Sequence, residues 1–229
     1  MSASDSRPEP ALADDTRRLF WLVDVGVFLY LALDIMAQVL PPHYDPISTA
    51  ESDLAVGPYG FILTLNFVNR GVLSLAFLYA FARVLRDLGV QTSRYRRGVN
   101  LLGVWAVGAF LLALFPTDVP STPVSWHGLI HLAVALFAFL GGALGILDLS
   151  LHLGATPALS RLKRFSLPIA VVACLSLLLL FGLPIVAPHL GSRIGGVTER
   201  FLIGSILLWI LTVSLYLGRR TFRVSPSLK

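Results

Sequence analysis

Two histidines four residues apart, His127 and His131, open a long apolar stretch that begins Ser125-Trp126-His127-Gly128. Helix positions four apart share a face, so both imidazoles can turn toward one ion or one substrate. The spacing is that of the zinc-binding helix of metalloproteases, but Gly128 stands where their general-base glutamate stands, so the full motif is absent. A third ligand would come from Asp118, with Asp53, Glu51 or Glu199 as alternatives. Zinc is therefore the cofactor these residues suggest, on Asp118, His127 and His131. The competing expectation is a pair of histidines that are hydrogen-bonded in place or move protons. In a catalytic role, Asp118, His127, His131 and Glu199 would activate water and shuttle protons. Glu199 also reads as an acid in the first turn of a helix, where the dipole favours it. For a b-type haem, His131 with His189 is the pair of axial ligands that can be constructed.

A second set of polar residues interrupts apolar segments nearer the N-terminus. Asn66, Asn69, Arg70 and Ser74 lie in one segment, and Asn66, Arg70 and Ser74 step by four along one face. In the preceding segment Asp24, Asp34 and Gln38 fall within an arc of about 80°. At 1.5 Å per residue, Asp34 lies ~9 Å, Asn66 ~10 Å and Arg70 ~16 Å from the nearest span end. A charge at such depth costs at least ~2.5–3.5 kcal/mol unless it is paired or reaches water. Asp34 and Arg70 are the expected partners, with the arginine stem reaching toward its end of the membrane. Together with Glu51, Asp53 and Arg200, these residues form the expected substrate-binding set: Asp34, Glu51, Asp53, Asn66, Asn69, Arg70 and Arg200.

The elements that must position them are membrane spans. Of the 229 residues, 55% are hydrophobic and 14% charged, and mean hydropathy is +0.77. A water-soluble domain needs more charge than this to cover its surface. Each crossing takes ~20 apolar residues. The sequence predicts six, at Leu19–Leu40, Tyr59–Leu85, Gly98–Phe115, Trp126–Leu149, Phe165–Ala187 and Thr198–Leu217. The expected fold is an all-α membrane protein, a six-transmembrane-helix bundle over residues 19–217. A disordered tail (1–18) and a basic tail (218–229) flank it. Cys174 is the single cysteine, so no disulfide framework exists.

Fifteen of the 18 Lys and Arg residues fall on one side of this topology, in the tails and in the loops after the second and fourth spans. The positive-inside rule then places the N-terminus and C-terminus in the cytoplasm of a cell-membrane protein. These short basic clusters lack interleaved aromatics, so they suit anionic lipid and not nucleic acid. The opposite loops, 41–58 and 116–125, contain no Lys or Arg but carry His43, Asp45, Glu51, Asp53 and Asp118. Their Pro and Ser content predicts ordered caps rather than loose tethers.

Four motifs carry a resemblance. They are Ile47-Ser48 with Glu51-Ser52-Asp53-Leu54; Asn66 to Gly71; Phe115-Pro116-Thr117-Asp118 with His127 beyond; and Glu199-Arg200. Over Phe20 to Leu217 the chain resembles a bacterial and archaeal membrane family known as domain of unknown function 998. That resemblance implies a compact six-helix protein and no particular activity. In residue types alone, Asp118, Ser125, His127 and His131 are also similar to the zinc sites of alkaline ceramidases and adiponectin-type receptors. Those proteins have seven helices and draw histidines from several of them.

The functional expectation is a polar site open to the outer leaflet, serving a lipid-directed hydrolase or transferase with metal or acid–base assistance. The alternatives are a non-catalytic transporter, receptor or partner-stabilising subunit, and a haem-binding redox protein. The expected partner is membrane lipid, with a second copy or another membrane protein as further possibilities.

Overall fold

The computed structural model describes residues 14–42, 44–90, 93–119 and 122–219. Within them lie six α-helices: α1 (Asp14–Val39), α2 (Gly60–Asp87), α3 (Ser93–Leu114), α4 (Trp126–Leu153), α5 (Ser160–Val186) and α6 (Pro188–Gly218). A 3-10 helix spans Glu51–Ala55, and no strand occurs among the described residues. Each of the six is long and apolar enough to cross a membrane. Their outward faces carry large apolar side chains, with Trp21 64%, Phe61 68% and Leu178 68% exposed. Water would penalise such surfaces on every helix, whereas acyl chains solvate them. The chain is a multi-pass membrane protein. Residues 1–13 and 220–229 of the predicted tails, and His43, lie outside the described residues.

Consecutive helices pack as neighbours, and α1 closes on α6 to complete a ring in which α6 also touches α4 and α2. Short connections force antiparallel neighbours, so all odd helices run toward one end. That end carries segment 40–59 and the 115–125 connection, and is called the cap end; the other is the basic end. On α4, Gly141 and Gly145 let the backbone of α3 approach. A methyl on Gly141 would come within 2.6 Å of the Leu101 carbonyl oxygen, and one on Gly145 within 2.8 Å of the Leu102 nitrogen. Small residues are the usual way for membrane helices to gain close packing. In the centre, Phe77 stacks on Phe81 at 5.6 Å and meets Trp209 edge-on at 5.7 Å.

The helices overrun the apolar spans that predicted them. α1 starts at Asp14, α3 at Ser93 and α5 at Ser160, while α4 continues to Leu153. Hydropathy marks the hydrocarbon core, whereas the backbone hydrogen-bond ladder continues into the interfacial layer. The largest departure is α6. The predicted outer loop Pro188–Val197 is helical, and Ala187 alone joins α5 to α6. Pro188 occupies the first helical turn, where its missing N–H is no loss and its fixed φ suits a helix.

Candidate functional site

Segment 44–59 folds down onto the ring and is fastened there mainly by α6. Asp45 first shapes the turn, accepting from the Ile47 N–H at 3.0 Å and the Ser48 hydroxyl at 2.6 Å. These bonds hold its carboxyl below the usual carboxylate range. Arg200 then donates to the carbonyl oxygens of Pro46 (3.0 Å), Thr49 (3.1 Å) and, on its own helix, Gly196 (3.0 Å), and to the Tyr44 hydroxyl. Burial pushes the Tyr44 phenol up to about 12, against the opposing pull of Arg200. The Val197 N–H adds a bond to the Ile47 carbonyl at 2.9 Å. Gly196 makes the contact possible, because any side chain there would collide with the Thr49 carbonyl.

Glu51, at the start of the 3-10 helix, points inward and is 2% exposed. Its backbone N–H donates to the Glu199 carboxylate at 2.8 Å, and its own carboxylate accepts from the Tyr30 hydroxyl. Glu51 thus links a phenol from α1, through its side chain, to a buried carboxylate of α6, through its backbone. Asp53, half-buried in the same short helix, has its carboxyl raised by burial.

The face of α2 built from Asn66, Arg70 and Ser74 turns wholly inward, all three being 0–1% exposed. The Asn66 amide donates to the Tyr30 carbonyl at 3.2 Å. Arg70 lies over the Trp105 ring at 4.5 Å and the Phe67 ring at 5.0 Å. None of its three guanidinium nitrogens meets a hydrogen-bond acceptor. The Asn66 carbonyl oxygen, the Ser74 hydroxyl, the Trp105 indole nitrogen and one Asp34 oxygen are likewise buried without partners.

Several expected assignments change. Asp34 and Arg70 do not pair: Asp34 accepts from Gln38, one turn along α1, at 2.6 Å, while Arg70 sits between aromatic rings. Glu199 is no helix cap, because α6 begins eleven residues earlier at Pro188. Asn69 locks α2 to α1 through the Gly26 carbonyl at 3.0 Å and stands apart from the inward face.

The metal set is not assembled. Asp118 accepts from the Ser125 N–H at 2.9 Å and the Ser125 hydroxyl at 2.5 Å, and that hydroxyl caps α4 by accepting from Gly128 at 3.1 Å. Those bonds from Ser125 lower the Asp118 carboxyl. A side chain at Gly128 would fall on the Asp118 carboxylate, so the missing motif glutamate has a packing reason. His127 is exposed, its ring tilted at 53° against that of Trp126 with centroids 3.5 Å apart. His131, one turn deeper, is buried and donates from Nδ1 to the Phe115 carbonyl at 2.7 Å. The two therefore serve different environments, the first above the packed ring and the second within it. Among the described residues no three His, Cys, Asp or Glu side chains converge on an ion. Zinc does not fit this donor set. His189 is exposed at the start of α6, so the haem pairing with buried His131 does not fit either.

Sequence reasoning passed over Tyr30, Tyr44 and Trp105. Tyr30 reads as a belt aromatic, yet it is 3% exposed and bonded to Glu51. A tyrosine amid a polar stripe on the same helix as Asp34 is the signal that could have marked it. Trp105 lies mid-helix, too deep for an interfacial belt.

The arrangement gathers donors around Arg70 and acids around Glu51 in one interior. Such a centre can hold an anion and exchange protons. No curated protein matches the chain, and no solved structure does. The family model described as "Protein of unknown function (DUF998)" matches residues 25–216, so the six-helix ring and its cap are those of a DUF998 family member.

Proposed function

We propose that the chain is a lipid-directed protein of the cell membrane, an acid–base hydrolase or transferase whose centre is the buried polar cluster beneath the cap. In this reading both termini and the basic loops are cytoplasmic, and the cap faces outward. The observation that carries it is Arg70, 1% exposed with no hydrogen-bond acceptor on any of its three guanidinium nitrogens. Burying that charge costs ~2.5–3.5 kcal/mol or more. A desolvated cation–π contact returns about 2 kcal/mol, and the donors remain unmet. An anionic oxygen group meets them directly, and the neighbouring Trp105 N–H and Ser74 hydroxyl add further donors.

Glu51 and Glu199, with the Tyr30 hydroxyl, supply the groups that accept and return a proton. The lipid reading rests on where the cluster lies, inside a bundle solvated by acyl chains. It is also supported by a groove between α5 and α6, about 470 Å³, that runs past Val172, Phe201 and Leu208 to Arg200.

Purified protein incubated with vesicles of anionic or zwitterionic phospholipid tests the reading, with Arg70→Gln and Glu51→Gln alongside. Retained anionic lipid lost in Arg70→Gln, and lipid turnover lost in Glu51→Gln, are expected. Equal lipid retention by wild type and Arg70→Gln would sink the binding centre. A second, non-catalytic reading is favoured by one observation: Glu199 and Arg200 are occupied in fastening the cap. Lipid retained but never turned over would support it.

A further inference from the structure

The basic end carries a recess that the cap-end cluster does not involve. It lies between α2 and the start of α3, about 330 Å³, and includes Arg86, Ser93 and Arg96. Both arginines are exposed, and neither forms an ion pair among the described residues. Val99 is shared between this recess and a larger apolar trough of about 660 Å³ on the lipid-facing side of α3. In the trough α3 lies low because of Gly103, with Leu75 of α2 forming one wall and Phe137 of α4 the other. Asn100, exposed, sits where recess and trough meet.

Along α3 from the basic end, the order is cation, amide, then apolar floor. Arg96 precedes Asn100 by about 6 Å of helix rise, and the floor continues about 16 Å further to Leu111. A diacyl phospholipid presents the same order: headgroup phosphate, glycerol ester, acyl chain. We propose that the α2–α3–α4 trough is a specific site for one anionic phospholipid, its headgroup held by Arg86 and Arg96 and one chain lying over Gly103. The two cations at the mouth favour an anionic over a zwitterionic headgroup, because a juxtamembrane arginine adds attraction that a neutral headgroup cannot return. The site is independent of the centre at Arg70.

Photoactivatable phosphatidylglycerol and phosphatidylcholine, each reconstituted with the full chain and mapped by mass spectrometry, test it. The expected result is labelling within residues 99–108 by the anionic probe, competed by unlabelled anionic lipid. Arg86→Gln and Arg96→Gln should each lower that preference about five-fold. Gly103→Leu should abolish labelling while leaving the fold intact, because a Cβ at this position on the trough floor meets nothing within 4 Å. Arg70→Gln should leave it unchanged. Equal labelling by both lipids, labelling elsewhere only, or crosslinks from the trough to a second copy of the chain would each overturn the proposal.

Discussion

Toward the basic end, Arg97 on α3 pairs with Asp148 on α4, and the His152 imidazole lies 3.7 Å from the same carboxylate. The Tyr95 hydroxyl meets the His152 carbonyl at 3.0 Å and Thr156 at 2.9 Å, and the Trp209 indole donates to Ser150 at 2.7 Å. Toward the cap end, Arg70, Ser74 and the Trp105 indole nitrogen find no hydrogen-bond partner, and Asn66 finds one for its amide only. Both sets lie on neighbouring helices in the same apolar bundle. The Tyr95–Thr156 and Trp209–Ser150 pairs are bonded where they stand, as is one Asp148 oxygen, while the other Asp148 oxygen, one Asp24 oxygen and the Thr16 and Ser166 hydroxyls stay unmatched. A cluster left unmatched in an apolar interior carries a standing cost that a bound group relieves. The contrast is between single unmatched atoms scattered toward the basic end and a buried cation, Arg70, none of whose donors is met.

The widest separation should come from paired substitutions in the two regions. Trp209→Ala removes a fully buried ring packed on Phe77 and should lower stability by on the order of 3–5 kcal/mol, read from unfolding in detergent. Arg70→Leu should leave stability unchanged or raise it, since a buried charge without partners is replaced by an apolar side chain. A loss in Arg70→Leu as large as that in Trp209→Ala would erase the distinction. The serines give the same contrast on a smaller scale. Ser150→Ala should cost about 0.6–1.7 kcal/mol by freeing the Trp209 N–H, whereas Ser74→Ala should cost nothing measurable.

Within the cap end, pH separates two carboxyls of opposite behaviour. Asp118 is lowered by its bonds from Ser125, so its contribution is present above the ordinary carboxylate range and is lost as pH falls through the folded value. Hydrogen-exchange protection at residues 125–130, corrected for the intrinsic pH dependence of exchange, should therefore fall on acidification, and Asp118→Asn should remove that dependence. Asp53 is raised by burial. Its proton favours the folded cap, a contribution lost as pH rises through the folded value. Asp53→Asn should slow exchange slightly across residues 51–56 at neutral pH, the smallest effect of the series. Faster exchange in that variant would show that the carboxylate supports the cap.

The inward face of α2 was legible because three polar residues spaced by four in an apolar span must turn toward protein and away from lipid. Asn66, Arg70 and Ser74 are all buried together. The partners were not legible. Asp34 and Arg70 match in charge and approximate depth, but the Gln38 amide competes from one turn away and the Phe67 and Trp105 rings take the guanidinium. His127 and His131 share a helical face by periodicity, yet one lies above the packed ring and the other within it. Periodicity reports direction around an axis; it does not report where neighbouring helices stop.

Sequence by itself determined six crossings, their alternation and the segregation of basic residues to one end. Hydrophobic length and charge act on each segment independently of its neighbours, so they can be read locally. Tertiary structure alone decided the rest. Segment 44–59 closes over the ring because Arg200 and Glu199 meet its backbone from 151 and 148 residues along the chain. Arg70 keeps its donors free because the rings beside it accept charge but no hydrogen bond. Those outcomes depend on which groups come within hydrogen-bond distance of one another, and only packing sets that distance.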